Sequence, residues 1–201
     1  APSDAQVILV AVGGDGTVNL TARLAIENAL TMAILPAGTF NFVARSHGIP
    51  EELDPAIDLL LQGQAQSLFV GQVNGEFFLV NACIGLYAKL LQEREQTKRA
   101  IGRSRIVAVI SAALTALKPY RRLNLWFDDA SAYESRRAAT FLVSNNRLQL
   151  ELAGISEAHL AGSGQLIGAL LRPVGRVGLL QLLASGAIGR LAEFPPLETF
   201  S

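Results

Sequence analysis

Hydrophobic residues near the start of the chain form two short runs, and each run ends in a glycine turn. Residues 7–12 and 32–36 are apolar enough for buried strands. The spacing of the apolar positions predicts helices near residues 19–29, 39–46 and 54–61. Short strands that alternate with helices predict an α/β unit with a parallel sheet.

From about Gln66 onward the pattern changes to short strands with turns between them. Asn74-Gly75 is a strong signal for a two-residue hairpin, and Asn145-Asn146 ends a later strand as a turn. Leu191 to Ser201 closes no predicted element. The predicted strands are Gln66 to Val73, Glu76 to Ala82, Arg122 to Asp128, Ala138 to Ser144 and Gln165 to Leu171, with helices at Ser104 to Leu117 and Gly178 to Leu191. This part is predicted to be mostly antiparallel β.

The first glycine turn, Gly13-Gly14-Asp15-Gly16-Thr17, follows the first predicted strand. Its glycines allow positive φ and close approach of the backbone to another group. The N–H groups of such a turn, with a helix N-terminus downstream, form a concave site for anionic oxygen. Asp15 would repel a phosphate unless it binds Mg²⁺ or accepts a proton from an attacking hydroxyl, and both are roles in phosphoryl transfer. The turn predicts a nucleoside triphosphate site.

A purely structural interpretation of this turn is open, in which glycine makes an ordinary connection and Asp15 caps the helix. The second turn, Pro36-Ala37-Gly38-Thr39-Phe40-Asn41, follows the second predicted strand. The carboxyl ends of neighbouring parallel strands line one crevice, which is where ligands bind. We therefore expect Gly38 and Thr39 beside the first turn, and the pair of turns favours a binding site.

Three stretches carry a resemblance to a known family. The string GGDGTVN from Gly13 resembles the nucleotide-binding motif that diacylglycerol kinases, sphingosine kinases, NAD kinases and 6-phosphofructokinases share. Residues 34–50, ILPAGTFNFVARSHGIP, resemble the P-x-G-T-x-N-x-x-A-R-x-x-G-I-P element of bacterial diacylglycerol kinase-like lipid kinases. Residues 81–105 resemble the segment that follows the nucleotide domain in these kinases. By resemblance, the chain is identified as a member of that lipid kinase family.

The resemblance implies an α+β fold of two domains. Residues 1–64 would form a partial Rossmann-like α/β nucleotide domain, and residues 65–201 an antiparallel β-sandwich domain with helices. It also implies ATP and Mg²⁺ as cofactors, and a lipid hydroxyl at the membrane surface as the acceptor of the γ-phosphoryl group. The expected location is cytoplasmic with peripheral membrane association, the expected role is in phospholipid biosynthesis, and a homodimer is left open.

The expected site residues lie in the two glycine turns and in the segments directly after them. Asp15 is expected to be catalytic, acting on Mg²⁺-bound phosphate or as a base toward the acceptor hydroxyl. The glycines would let amides approach the phosphates, the threonines would add hydroxyl hydrogen bonds, and the asparagines would position the turn or the nucleotide. The expected nucleotide-binding residues are Gly13, Gly14, Gly16, Thr17, Asn19, Gly38, Thr39 and Asn41.

Composition narrows the class of protein. The 201 residues carry 17 basic and 17 acidic side chains, which gives no general attraction to nucleic acid. Hydrophobic residues make up 50% of the chain, enough to bury a core. No apolar run reaches the roughly 18 residues of a transmembrane helix. The single cysteine, Cys83, excludes an intramolecular disulfide framework. We expect a cytoplasmic protein that binds no nucleic acid.

Two other functions stay open. A kinase of NAD or of a sugar phosphate shares GGDGT, although the N-x-G-x-L-G-F element of NAD kinases is missing here. A catalytically silent nucleotide- or lipid-binding module is the other, because the family's Asp-Gly-Glu element is absent and residues 160–166, LAGSGQL, lack the acidic residues of a metal-binding loop. The chain is expected to be an internal fragment or a shortened relative, which puts its own activity in doubt.

A basic stretch in the second half has two interpretations. It is either a solvated helix face, with Glu93 and Glu95 as local ion-pair partners, or an electrostatic foothold on anionic lipid headgroups. At a membrane surface each basic residue contributes about 1 kcal/mol. The stretch comprises Arg94, Lys98, Arg99, Arg103, Arg105, Lys118, Arg121 and Arg122.

Overall fold

The computed structural model describes residues 7–101, 120–129, 132–187 and 189–201. The strands are β1 Ile8–Gly13, β2 Thr31–Pro36, β3 Gly71–Val73, β4 Glu76–Phe78, β5 Asn81–Gly85, β6 Leu123–Asp129, β7 Ala132–Ala138, β8 Thr140–Ser144, β9 Ile167–Leu171 and β10 Leu197–Phe200. The helices are α1 Asp15–Glu27, α2 Phe42–Ser46, α3 Leu53–Gln62, α4 Leu86–Ile101, α5 Arg147–Leu152 and α6 Arg176–Ala187. The 3-10 turns are Ser156–Leu160 and Leu191–Glu193.

The chain divides into two compact units, each built from several segments. The first unit comprises Ala1–Asn81, Ser144–Gln149 and Ala158–Leu166. The second comprises Ala82–Val143, Leu150–Glu157 and Ile167–Ser201. The division of function between residues 1–64 and 65–201 stays a prediction.

The first unit is organised around a parallel pair of strands. β1 and β2 pair in register from Ile8 opposite Thr31 to Gly13 opposite Pro36. Their buried side packs against α1, and the core there consists of Ala11, Val18, Ala22, Val43 and Leu79. Because the strands run in the same direction and end together, both glycine turns leave the same edge of the sheet, as predicted.

Helix α1 begins earlier than the sequence pattern predicted. It starts at Asp15 rather than near residue 19, with Gly14 as its extended N-cap. Three of the motif's residues, Asp15, Gly16 and Thr17, therefore belong to the helix itself and not to a preceding loop. The helix extends back to Asp15 because Gly16 takes no left-handed conformation here and so does not interrupt it.

The Asn74-Gly75 hairpin is confirmed, since both residues have positive φ and β3 pairs antiparallel with β4. The strand predicted from Glu76 to Ala82 is wrong, because it ends at Phe78 and a new strand begins at Asn81. The physical reason is that the Asn19 side chain takes backbone hydrogen-bonding groups that would otherwise pair with a neighbouring strand. The Asn19 amide donates to the carbonyl of residue 77 at 3.2 Å and accepts from the N–H of residue 79 at 3.0 Å.

The second unit contains a four-stranded sheet in the order β10-β9-β8-β5. Every residue of β9 is buried. β10 pairs antiparallel with β9 from Leu197 to Phe200, so the expectation that the last residues close no element was wrong. Pro195-Pro196 breaks the pattern before this strand, but Phe200 then stacks on Phe141 with ring centroids 6.0 Å apart.

The β6–β7 hairpin of the second unit confirms the strand predicted near residues 122–128. The strand predicted from Ala138 to Ser144 is divided at Ala139. Ala139 donates its N–H to the Leu171 carbonyl at 2.7 Å, and its own carbonyl accepts from the N–H of Leu86 at 2.8 Å. The helix predicted at 104–117 lies outside the described residues. The side chains of the basic stretch from Arg94 to Lys118 also lie outside the described part of the structure.

We expect the pKa of Glu134 to depend on Arg136. The Arg136 guanidinium donates to the Glu134 carboxylate at 2.7 Å and lowers its pKa in the folded protein. A lowered pKa stabilises the fold above the ordinary pKa of the carboxyl, and this contribution is lost as pH falls through the lowered value. In Arg136→Gln, a carboxyl-carbon NMR titration should return Glu134 to its ordinary pKa.

Arg137→Gln is the matched control, because Arg137 is not among the groups that lower this pKa. An unchanged Glu134 titration in Arg136→Gln would contradict the assignment of the cause.

Candidate functional site

The two glycine turns touch each other through their backbones. A Cβ built on Gly14 would lie 3.0 Å from the Gly38 Cα, and one built on Gly38 would overlap the Gly14 Cα. The Gly38 Cβ would also lie 2.7 Å from the Asn41 Oδ1. Any side chain at Gly38 would separate the turns, so the contact that the sequence predicted requires glycine here.

Steric crowding also explains Gly13 but not Gly16. A Cβ on Gly13 would meet the Thr17 side chain at 2.6 Å, whereas one on Gly16 would meet nothing within 4 Å. None of the four motif glycines has positive φ, so the expectation that they serve left-handed turns was wrong. Close packing excludes a Cβ on Gly13 and Gly38 and crowds one on Gly14, whereas the fold places no such demand on Gly16.

The N-terminus of α1 faces open space beside these glycines. The first hydrogen bond of α1 runs from the Val18 N–H to the Gly14 carbonyl at 3.0 Å. The N–H groups of the three residues before Val18 have no partner within the helix, and the helix dipole makes this end positive. Gly16, Thr17 and Thr39 are exposed. The arrangement suits an anionic ligand.

Asp15 is half-buried in the first turn of α1 and is bonded to α2. Its Oδ1 accepts from the Val43 N–H at 3.0 Å, which satisfies one of the unpaired N–H groups at the start of that short helix. Its Oδ2 has no hydrogen bond to any residue that the structure describes. One carboxylate oxygen is therefore held, and the other is free to meet a ligand.

The two predicted asparagines hold the protein backbone. Asn41 is 6% exposed and left-handed, with φ of 49°, and its Oδ1 accepts from the Gly38 N–H at 2.9 Å. Its Nδ2 also donates to Glu51 at 3.2 Å. Asn19 binds the backbone on both sides of the break after β4. Asn41 thus bonds the second turn and Asn19 links α1 to the chain after β4, and the binding roles expected of both residues stay predictions.

The sequence did not single out one residue that the structure ties to this region. Asn146 is 3% exposed and donates from Nδ2 to the Phe42 carbonyl at 3.3 Å and to the Ser46 hydroxyl at 2.6 Å. It therefore binds α2 although it lies about 100 residues away in sequence. The asparagine pair at the end of a predicted strand marked this position, but the sequence alone does not show which groups Asn146 hydrogen-bonds.

A magnesium ion bound with ATP would suit Asp15. Mg²⁺ in nucleotide sites keeps several waters and binds through one or two carboxylates together with substrate phosphates. The free Oδ2 of Asp15, beside unpaired N–H groups, fits that donor set. Within the described ranges, no three His, Cys, Asp or Glu side chains cluster to hold a metal without such phosphates.

A groove lies in the second unit, and none of its lining residues belongs to the glycine turns. It has a volume of about 470 Å³ and is lined by Glu134, Arg136, Arg137, Leu170, Arg172, Pro173 and Glu198. Glu198 bonds both Arg136 and Arg172 there. At the candidate site, by contrast, Gly16, Thr17 and Thr39 are exposed at the surface.

The chain is similar to known lipid kinases. The diacylglycerol kinase catalytic domain matches residues 1–73. A Citrobacter koseri protein named "Probable lipid kinase YegS-like" is 31% identical over 182 residues, 87% of this chain and 54% of that protein. The diacylglycerol kinase of Bacillus subtilis is 39% identical over 75 residues, 36% of this chain and 25% of that protein. A crystal structure of a candidate diacylglycerol kinase from Bacillus anthracis has a TM-score of 0.65 at 16% identity, covering 96% of this chain and 63% of that one.

This chain belongs to the family of diacylglycerol kinase-like lipid kinases. Its fold is mixed α/β with several sheets, like that of the Bacillus anthracis structure. The chain spans about half the length of the Citrobacter relative, at 54%. Among the helices that the structure describes, none combines the length and the apolar character needed to cross a bilayer.

The structure predicts opposite effects of alanine at two motif glycines. Gly38→Ala should lower the free energy of unfolding by about 2 kcal/mol, because its Cβ overlaps the Gly14 backbone. Gly16→Ala should cost nothing and gain up to about 1 kcal/mol, since alanine favours a helix and meets open space. Urea unfolding of the two variants measures both, and a Gly38→Ala variant as stable as the parent would contradict the close contact.

Proposed function

We propose that the chain binds ATP with Mg²⁺ at the two glycine turns, as part of a lipid kinase that transfers the γ-phosphoryl group to a lipid hydroxyl. One observation carries the proposal, namely that the fold does not require glycine at position 16. Packing accounts for the other motif glycines, whereas the missing side chain of Gly16 leaves open space beside the α1 N-terminus. A phosphate would fill that space.

The proposed mechanism uses positioning and charge. The N–H groups at the start of α1 hold the phosphates, and the exposed hydroxyls of Thr17 and Thr39 add hydrogen bonds. Bound Mg²⁺ would neutralise charge on the phosphate oxygens. Asp15, held through Oδ1 by the Val43 N–H, presents Oδ2 toward Mg²⁺-bound phosphate or the acceptor hydroxyl. Because the transition state is largely dissociative, alignment matters more than base strength.

The finer architecture belongs to the same proposal. The parallel β1–β2 pair with α1 supports a partial Rossmann-like nucleotide domain. The four-stranded sheet and the β6–β7 hairpin support a β-sandwich that would hold the lipid. A lipid acceptor requires peripheral contact with a membrane surface, and the basic stretch around Arg99 is the proposed foothold. The acceptor's identity would depend on the lipid-binding surface.

Transfer of labelled phosphate tests the activity and the role of Asp15. The chain is incubated with γ-labelled ATP, Mg²⁺ and a mixed lipid extract, and label is expected in a lipid species. Asp15→Asn keeps an Oδ1 acceptor for the Val43 N–H and removes only the charge. We expect it to lower turnover by at least about 100-fold, the range for a lost general base.

The control for this experiment is the stability of Asp15→Asn, which should match the parent because the hydrogen bond to α2 is kept. Undiminished transfer by Asp15→Asn would contradict the role of Asp15. ATP binding without any labelled lipid would instead favour the second candidate, a catalytically silent nucleotide-binding module.

Gly16→Ala separates ligand binding from folding. The added methyl group enters the space assigned to phosphate, so the Kd for ATP should rise about tenfold or more while the fold is kept. Isothermal titration with MgATP measures this. Thr21→Ala is the matched control, because Thr21 is a half-buried position of the same helix and its hydroxyl bonds the Thr17 carbonyl. If Gly16→Ala and the parent bind ATP with equal affinity, the proposal is contradicted.

A further inference from the structure

Asn146 uses every hydrogen-bonding group of its side chain. Nδ2 donates to the Phe42 carbonyl at 3.3 Å and to the Ser46 hydroxyl at 2.6 Å. Oδ1 accepts from the Gln149 N–H at 2.9 Å and so caps helix α5. The Ser46 hydroxyl in turn bonds the Phe42 carbonyl. Asn146 therefore links a strand end to the first and last residues of α2.

The Phe42 carbonyl and the Val43 N–H belong to the same peptide unit. Asn146 donates to the oxygen of that unit, and the N–H of that unit donates to Asp15 Oδ1 at 3.0 Å. A continuous chain of hydrogen bonds therefore runs from the Asn146 amide, across one planar peptide, to the Asp15 carboxylate. We call it the Asn146–Asp15 chain.

Burial strengthens this chain. Val43 is 1% exposed and Asn146 is 3% exposed, so water cannot compete well for either group. In such surroundings, a hydrogen bond to a carbonyl polarises its peptide and strengthens the bond that the N–H donates. Asn146 also holds α2 at both of its ends, since it bonds the Phe42 carbonyl and the Ser46 hydroxyl.

We propose that Asn146 is a positioning residue for Asp15, acting through the Phe42–Val43 peptide. This proposal rests on the proposed function, in which Asp15 is the catalytic carboxylate. Asn146 fixes the peptide, the peptide fixes Oδ1, and the remaining oxygen of Asp15 is aimed at the phosphate. Asn146 itself touches no substrate.

The neighbouring Asn145 provides a matched control. It is equally buried, at 5% exposed, and its Nδ2 donates to the Phe69 carbonyl at 2.7 Å. Asn145→Asp and Asn146→Asp make the same chemical change at adjacent buried positions. Only Asn146→Asp removes the donor to Phe42, and it keeps an Oδ1 acceptor for Gln149.

The first readout is the Val43 amide, followed by NMR in the parent chain and both variants. In Asn146→Asp its proton resonance should move upfield, and it should exchange with solvent about 3- to 10-fold faster, as for the loss of one hydrogen bond. Asn145→Asp should leave it unchanged. An identical Val43 amide in Asn146→Asp, or a Val43 amide unprotected in the parent chain, overturns the proposal.

The second readout is the split between kcat and KM in the labelled-ATP assay. Asn146→Asp should lower kcat between about 10- and 100-fold, as misalignment of a reacting group does, with KM for ATP within about twofold. Asn145→Asp leaves the Asn146 donor to Phe42 in place and should retain kcat. An equal fall in Asn145→Asp, or a KM effect alone, contradicts positioning through the peptide.

Two further outcomes keep the tests separate. If the parent chain transfers no label, the proposed function fails, but the Val43 amide still decides whether the chain of hydrogen bonds exists. If Asn146→Asp does not fold, Asn146→Ser replaces it, because serine is too short to reach Phe42 and brings no buried charge. An unshifted Val43 amide in folded Asn146→Ser also overturns the proposal.

Discussion

The contact between Gly14 and Gly38 is the constraint on which the candidate site depends. The two backbones meet here so closely that a Cβ on Gly38 has no room, and the parallel pairing of β1 with β2 brings both turns to this point. The contact fixes the end of β1, the start of α1 and the loop before α2 in one arrangement. Unpaired N–H groups, exposed hydroxyls and the Asp15 carboxylate are thereby collected on one open surface.

Polar side chains inside the first unit hold this arrangement. Asn19 and Asn146 bond backbone groups far away in sequence, and Asn41 bonds the backbone of its own turn at Gly38. A buried amide without partners would cost about 1–3 kcal/mol, so each one fixes the segments around it. The site is therefore held by directional bonds to the backbone in addition to the small apolar core around Ala11 and Val18.

The sequence predicted the parts of this site that depend on local pattern. Two apolar runs that end in glycine turns predicted the parallel strands and the proximity of the two turns. Asn74-Gly75 predicted the hairpin. The prediction from sequence failed where a distant side chain competes for the backbone, as Asn19 does when it ends the strand at Phe78. The sequence analysis also missed β10, because two prolines directly before it argue against a strand. Tertiary packing of Phe200 stabilises that strand. Asn146 could not be assigned for the same reason, since its partners lie about 100 residues away.

The most direct measurement is the amide NMR spectrum of the chain titrated with MgATP. The account predicts that the largest shifts fall on the amides of Asp15, Gly16 and Thr17, with a second set at Gly38 and Thr39. Shifts confined to the second unit, or none at saturating ATP, would contradict the claim that the paired glycine turns form the nucleotide site.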